Sequence, residues 1–304
     1  MNQIPNLFDH TLLAARRKRA AQNPAAMADA NFLRQAGIAD LTERLGAVSK
    51  KFENGLELDA PDDFLCIKMR ESGRVQNMAR GGGFLQAALD HPQSEDGTAL
   101  YTGGTPFPAY DLITSVLSLQ FSNDLPGTLI QIRNGLKPDG LFLGVLLGGD
   151  TLIELRQVLL QAEAEIRGGA SPRVSPFGEV RDMGSLLQRA GFALPVTDVD
   201  TLTVRYANPM RLLSDLRAMG ATNVLVSGAT QPLRRDVLMR AMELYREQFA
   251  HEDGKVPATF QLISLSGWAP HESQQKPLKP GSAKTRLADA LGVKEFGNDM
   301  GRNR

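Results

Sequence analysis

The chain has 304 residues, 42% hydrophobic and 22% charged, with 29 glycines and 17 prolines, a composition that builds a sizeable core and argues against disorder or a collagen-like repeat. Thirty-four basic residues balance thirty-four acidic ones, so no global field holds nucleic acid or an anionic membrane. Cys66 is the only cysteine, which excludes an internal disulfide and a multi-thiolate metal site; the four histidines share no H-x-x-x-H spacing, so no metal is expected.

Residues 9–21 and 26–36 read as short helices, the second stopped by Gly37, and a third spans 39–48. The run Arg16-Arg17-Lys18-Arg19 reads as a solvated helix face. A strand at 55–60 breaks at Pro61, Asp62-Asp63 opens a helix that ends at Gly73, and 74–79 is a second strand before Gly81-Gly82-Gly83. A helix at 84–89 and a strand at 97–101 follow. Residues 110–117 are almost continuously apolar, as a strand buried on both faces should be.

Asn123 or Asp124 caps a helix carrying Leu125, Leu129, Ile132 and Leu136 on one face, Lys137-Pro138-Asp139-Gly140 turns, and 141–147 is another buried strand. Further helices are expected at 151–166, ended by Gly168-Gly169, and at 183–190, 209–219 and 234–250, with edge strands at 201–206 and 258–267. Strands alternating with helices predict an α/β doubly wound sheet. The expected organisation is N-terminal helices over 1–50, one domain over 51–270 with a helical insertion at 151–250, and an extended tail over 271–304 with a short helix at 285–291. No apolar run is long enough to span a bilayer, and the opening residues lack the features of a secretory signal.

Several segments carry a resemblance: 116–126, Gly135-Leu136-Lys137-Pro138-Asp139-Gly140, Gly148-Gly149-Asp150-Thr151-Leu152-Ile153-Glu154-Leu155-Arg156, Val174-Ser175-Pro176-Phe177, Asp215-Leu216-Arg217-Ala218-Met219-Gly220 and 252–260. Together they resemble the respiratory complex I assembly family of class I methyltransferase-like proteins, whose mitochondrial member is credited with hydroxylating an arginine of a complex I subunit. The resemblance implies a Rossmann-like class I methyltransferase fold, with a mostly parallel sheet, an antiparallel edge, and extra N-terminal and inserted helices.

Against that family, the stretch meant to approach S-adenosylmethionine, Glu57-Leu58-Asp59-Ala60-Pro61-Asp62-Asp63, holds no glycine. The strand end meant to hold a ribose with a carboxylate offers Ala79 and Arg80, and arginine has no acceptor. The region around Gly103 lacks an acid, and Gln120-Phe121 stands where the family commonly has His-Trp. Asp59, Ala60, Ala79, Arg80 and Gly103 are therefore expected to form a degenerate, plugged cofactor pocket with no catalytic residue. No cofactor is expected, or S-adenosylmethionine if the pocket is open.

Asp150, Glu154 and Arg156 are candidates for partner contact; Asp150 reads alternatively as a helix cap or as a residue past a strand end where active sites of such sheets lie, and Glu154 and Arg156 alternatively as an exposed helix face. The resemblance points to an accessory subunit or assembly factor of complex I without catalysis, on its peripheral arm or beside a homologous methyltransferase-like protein. The alternative is an active methyltransferase or arginine hydroxylase acting on a complex I subunit. The implied location is the cytoplasmic face of a bacterial inner membrane, or the mitochondrial matrix in a eukaryote.

Overall fold

The computed structural model describes residues 6–81, 101–102, 105–106, 110–227 and 232–274. The helix expected at 84–89, most of the strand at 97–101, Gly103 and the tail helix at 285–291 lie outside them. In chain order come α1 (His10–Ala21), α2 (Pro24–Asp29), α3 (Phe32–Ala47), β1 (Phe52–Leu58), α4 (Phe64–Glu71), β2 (Val75–Gly81) and a short ribbon of β3 (Tyr101–Thr102) with β4 (Thr105–Pro106). There follow β5 (Tyr110–Val116), α5 (Leu125–Gly135), β6 (Leu136–Leu147), α6 (Ile153–Arg167), α7 (Val180–Arg189), β7 (Ala193–Tyr206), α8 (Pro209–Ala218), α9 (Arg235–Phe249) and β8 (Val256–Trp268). The chain separates into one unit over Met1–His271 and a second over Glu272–Arg304.

The two apolar runs occupy the middle of a six-stranded sheet of order β2-β1-β5-β6-β8-β7. β1, β2, β5 and β6 pair in parallel; β8 runs antiparallel to both β6 and β7, so it alone opposes the rest. On one face, Ile38, Leu41, Leu65 and Met69 of α3 and α4 pack on Leu112, Leu143 and Val145. On the other, Leu129 and Ile132 of α5 and Met183 and Leu187 of α7 cover Leu56, Ile113, Phe142 and Ile263. A separate cluster joins α6, α8 and α9 to the far ends of β7 and β8 through Leu155, Leu212, Tyr245 and Phe260.

Three boundaries differ from the sequence reading. The helices expected at 26–36 and 39–48 are instead α2 and α3, and α3 runs through Gly37. A Cβ there would lie 3.1 Å from Val116 Cγ1, so Gly37 allows the helix to press on the sheet rather than ending it. The Lys137-to-Gly140 turn is absorbed into β6 as an irregularity: pairing shifts between Tyr110↔Leu136 and Leu112↔Leu141, with Asp139 at φ 62°. β7 extends back to Ala193 along β8, through a Thr- and Asp-rich stretch with little apolar alternation to mark it.

Candidate functional site

β1 and β5 end beside each other, and the chain leaves both through left-handed residues that are not glycine: Asp59 at φ 51° and Leu117 at φ 54°. Such positions cost on the order of 1 kcal/mol each and persist where surrounding structure holds them. Together with Pro61, Gln120 and Phe121 they form one wall of a cavity of about 340 Å³. The opposite wall comes from Arg17 and Lys18 of α1, Ala30 after α2, Arg34 of α3 and Met219–Ala221 beyond α8. The crevice expected to be plugged is open at Asp59 and Ala60. The charged stretch lines it because Asp62 is drawn aside, accepting from Arg34 Nη2 at 2.8 Å and from the Phe64 N–H at 3.0 Å.

Arg34 also reaches into the sheet. Its Nη2 lies 3.2 Å from Glu57 Oε1, and Cys66 Sγ donates to Glu57 Oε2 at 3.2 Å. Glu57 is fully buried, and burial pushes its carboxyl up to about 7, with Arg34 pulling the other way. Burial and then the Glu57 charge push the Cys66 thiol up, so it serves as a hydrogen-bond donor and not as a thiolate nucleophile. Arg34 Nε, although buried, has no hydrogen-bond partner among the described residues.

Arg17 is a cavity-lining residue that sequence reasoning missed. Rather than lying on a solvated face, its guanidinium sits 5.6 Å from the centre of the Phe121 ring and borders the cavity. Burial pulls its pKa below the ordinary arginine value, Asp59 opposes that, and Arg34 adds to it. Among the described residues it makes no ion pair. The available signal was register: Arg17 follows the buried Leu13 by one helical turn and so shares its inward face. Beside it, Gln120 Nε2 donates to the Leu117 carbonyl at 2.9 Å, which leaves Gln120 Oε1 buried without a partner.

The five residues expected to form a pocket are not brought together. Asp59 and Ala60 line the cavity; Ala79 and Arg80, half-buried on β2 beside Leu56 and Glu57, do not, and Gly103 is outside the described residues. The three partner candidates divide. Asp150 is exposed but caps nothing, because α6 starts at Ile153 after Leu152 at φ 56°. Glu154 is buried and accepts from Thr259 N at 3.1 Å and Thr259 Oγ1 at 2.5 Å, tying α6 to β8. Arg156 Nη2 donates to the Ser175 carbonyl at 3.1 Å. The expected exposed face of Glu154 and Arg156 is therefore largely an internal clamp. Among the described residues no group of three or more His, Cys, Asp or Glu side chains is placed to hold a metal, and no helix is long and apolar enough to cross a membrane.

The strand order, the single opposing strand β8 and the cleft over the carboxyl ends of β1 and β5 define a Rossmann-like class I methyltransferase fold. No protein-family model matches the chain. Among curated proteins, it is 34% identical over 288 residues to the mitochondrial arginine-hydroxylase NDUFAF5 of Rattus norvegicus, spanning 93% of this chain and 83% of that one. The human protein of the same name is 36% identical over 295 residues, with the same two coverages of 93% and 83%. The chain belongs to the NDUFAF5 arginine-hydroxylase family. The Danio rerio member is 44% identical over 191 residues, 63% of this chain and 59% of its own length. A malonyl-[acyl-carrier protein] O-methyltransferase of Gallionella capsiferriformans is 34% identical over 160 residues, 53% of this chain and 52% of that protein. Among solved structures, a Bacillus halodurans protein described as a methyltransferase covers 77% of this chain and 99% of its own, at 13% identity and a TM-score of 0.48.

Proposed function

We propose that this protein is an enzyme of the arginine-hydroxylase type that acts on a subunit of respiratory complex I during assembly, with the cavity under α1 as its binding site. The observation that carries this reading is the open cavity of about 340 Å³ at the carboxyl ends of β1 and β5, where a protein that kept only the scaffold would have no reason to keep charged, incompletely satisfied walls. The names of the relatives supply the reaction class, and the identity that runs through 93% of the chain supports carrying it over. On this reading the client subunit belongs to the peripheral arm of complex I, reached from the bacterial cytoplasm or, in a eukaryote, from the mitochondrial matrix.

S-adenosylmethionine fits only in part. Asp59 keeps the left-handed backbone that a glycine would adopt there, yet β2 closes with Ala79, Arg80 and Gly81 and presents no carboxylate to a ribose. No step is derived through that cofactor. At the cavity, Arg34 bridges Asp62 and Glu57, Phe121 gives an apolar face, and Arg17 and Lys18 of α1 line the opposite wall.

The test is mass spectrometry of complex I subunits from cells lacking this protein and from the same cells complemented with it. An arginine carrying one added oxygen atom should be present only in the complemented cells; identical modification in both overturns the reading. A second reading, a permanent methyltransferase-like subunit without catalysis, draws on the glycine-free loop and the missing ribose carboxylate. It requires the protein to co-purify with intact complex I in stoichiometric amount and no subunit to change in mass.

A further inference from the structure

We propose that Asp198 and Asp200 guard the outer edge of β7 against pairing with the same strand of a second copy of this chain. The inference is independent of what the cavity binds.

β7 closes one side of the sheet. It pairs with β8 from Ala193↔Trp268 to Tyr206↔Val256, and among the described residues no strand lies on its other side. At 14 residues it is long beside the usual strand of about 5 or 6, and Leu194, Val196 and Val199 are exposed along it. A long edge that also offers apolar side chains is a template for another strand, and folds that keep one carry devices that spoil the fit.

The register settles which amides of β7 face outward. Gln261 of β8 accepts from the Gly148 N–H at 2.8 Å and donates its own N–H to Thr151 Oγ1 at 3.1 Å, both on the side away from β7. Thr201, opposite Gln261, therefore turns its N–H and C=O to the open edge, and so does Val199, two residues along and opposite Ile263. These two outward amides are the ones taken by side chains: Asp198 Oδ1 accepts from the Val199 N–H at 2.9 Å, and Asp200 Oδ1 from the Thr201 N–H at 2.8 Å. Each carboxylate stands where the carbonyl oxygen of an incoming strand would have to sit, and repels it.

The first of these carboxylates is held in place. Arg44 Nη2 of α3 donates to Asp198 Oδ2 at 3.1 Å, while Arg44 Nε is gripped by both oxygens of Asp40 at 2.9 and 2.8 Å. Arg44 and the Val199 amide keep the Asp198 carboxyl below its usual range, so it stays charged. Self-pairing meets a further obstacle. A twofold antiparallel contact centred on Val199 sets Asp198 of one copy opposite Asp200 of the other, and one centred on Asp200 sets two Asp200 carboxylates together; like charges directly opposite are unfavourable. Nearer the start of the strand a bulge between Ala193 and Val196, with Leu194 at φ 48°, bends the edge away beside its exposed apolar residues.

The test is sedimentation equilibrium of the full chain over a wide concentration range, comparing wild type with Asp198→Thr/Asp200→Thr. Threonine suits a strand and removes the charge. The double variant should associate at least roughly 10-fold more tightly than wild type, because two carboxylates leave the edge of each copy. Its Val199 and Thr201 amides should then exchange hydrogen more slowly in concentrated than in dilute solution. Asp29→Asn/Glu53→Gln, which removes the same charge from exposed positions elsewhere, should sediment like wild type. Asp200→Thr alone leaves the Arg44 contact intact and should move association in the same direction, which keeps the test open if the double variant does not fold. The proposal is overturned if a folded edge variant sediments like wild type, if the control pair associates equally, or if association leaves exchange at Val199 and Thr201 unchanged.

Discussion

Glu163 on α6 and Glu57 on β1 are both buried carboxylates, yet one is saturated with donors and the other is not. Glu163 accepts from Ser171 N and Arg173 Nη2, each at 2.6 Å, and from Arg173 Nε at 2.9 Å. Burial alone would raise its pKa, but the Ser171 N–H and Arg173 outweigh it and hold the group below the usual range. Glu57 has a thiol and one arginine shared with Asp62, and there burial wins. At Glu163, away from the cavity, the buried carboxylate is well supplied with donors. Around the cavity the fold holds Arg34 Nε and Gln120 Oε1 buried without a hydrogen-bond partner among the described residues, beside two left-handed non-glycine residues, Asp59 and Leu117.

The largest test of this contrast is Arg34→Ala, which strands Glu57 in the sheet and should cost about 3–5 kcal/mol in a denaturant titration. Restoring neutrality with Arg34→Met and Glu57→Gln together should recover most of that loss. Glu163→Ala should cost about 3 kcal/mol by removing the acceptor of the Ser171 N–H and of Arg173, but leave ligand affinity at the cavity unchanged, since its contacts lie on α6 and the loop after it.

The two carboxylates should also give stability opposite pH dependence. Glu57 is raised from 4.5 to about 7, so its contribution is complete below pH 4.5 and is lost as pH rises to about 7. Glu163 is lowered, so its contribution is present above pH 4.5 and is lost as pH falls through its folded value. Melting temperatures measured across pH 3–8 should therefore flatten on the neutral side in Glu57→Gln and on the acid side in Glu163→Gln; a shared profile would erase the distinction. The smallest effect is expected for Asp59→Gly, which relieves a left-handed backbone while losing a carboxylate, for a net change within about 1 kcal/mol.

Much of this was legible in the sequence. The apolar runs that became β5 and β6 announced a doubly wound sheet, and the Asp124 cap and Gly168 stop appeared where side-chain chemistry puts them. Gly37 misled because a glycine inside a helix looks like its end until the sheet that needs the space is present. The site was harder. Asp59 and Ala60 could be placed on a strand end, but a glycine-free loop reads as an obstruction when nothing in sequence shows Arg34, twenty-eight residues earlier than Asp62, drawing it aside. Arg17 was hidden in a basic run, because composition marks such runs as solvated and only the packing of α1 on Phe121 singles out one member. Glu154 was misplaced for the same reason: its charge suggested exposure, whereas Thr259 of a distant strand satisfies it inside.

The most direct test of the central claim is to fill the cavity. Ala60 lies on its wall, and Ala60→Trp in a chain whose melting temperature stays close to wild type should abolish oxygenation of arginine on complex I subunits in complemented cells. Full modification by that folded variant would contradict the account.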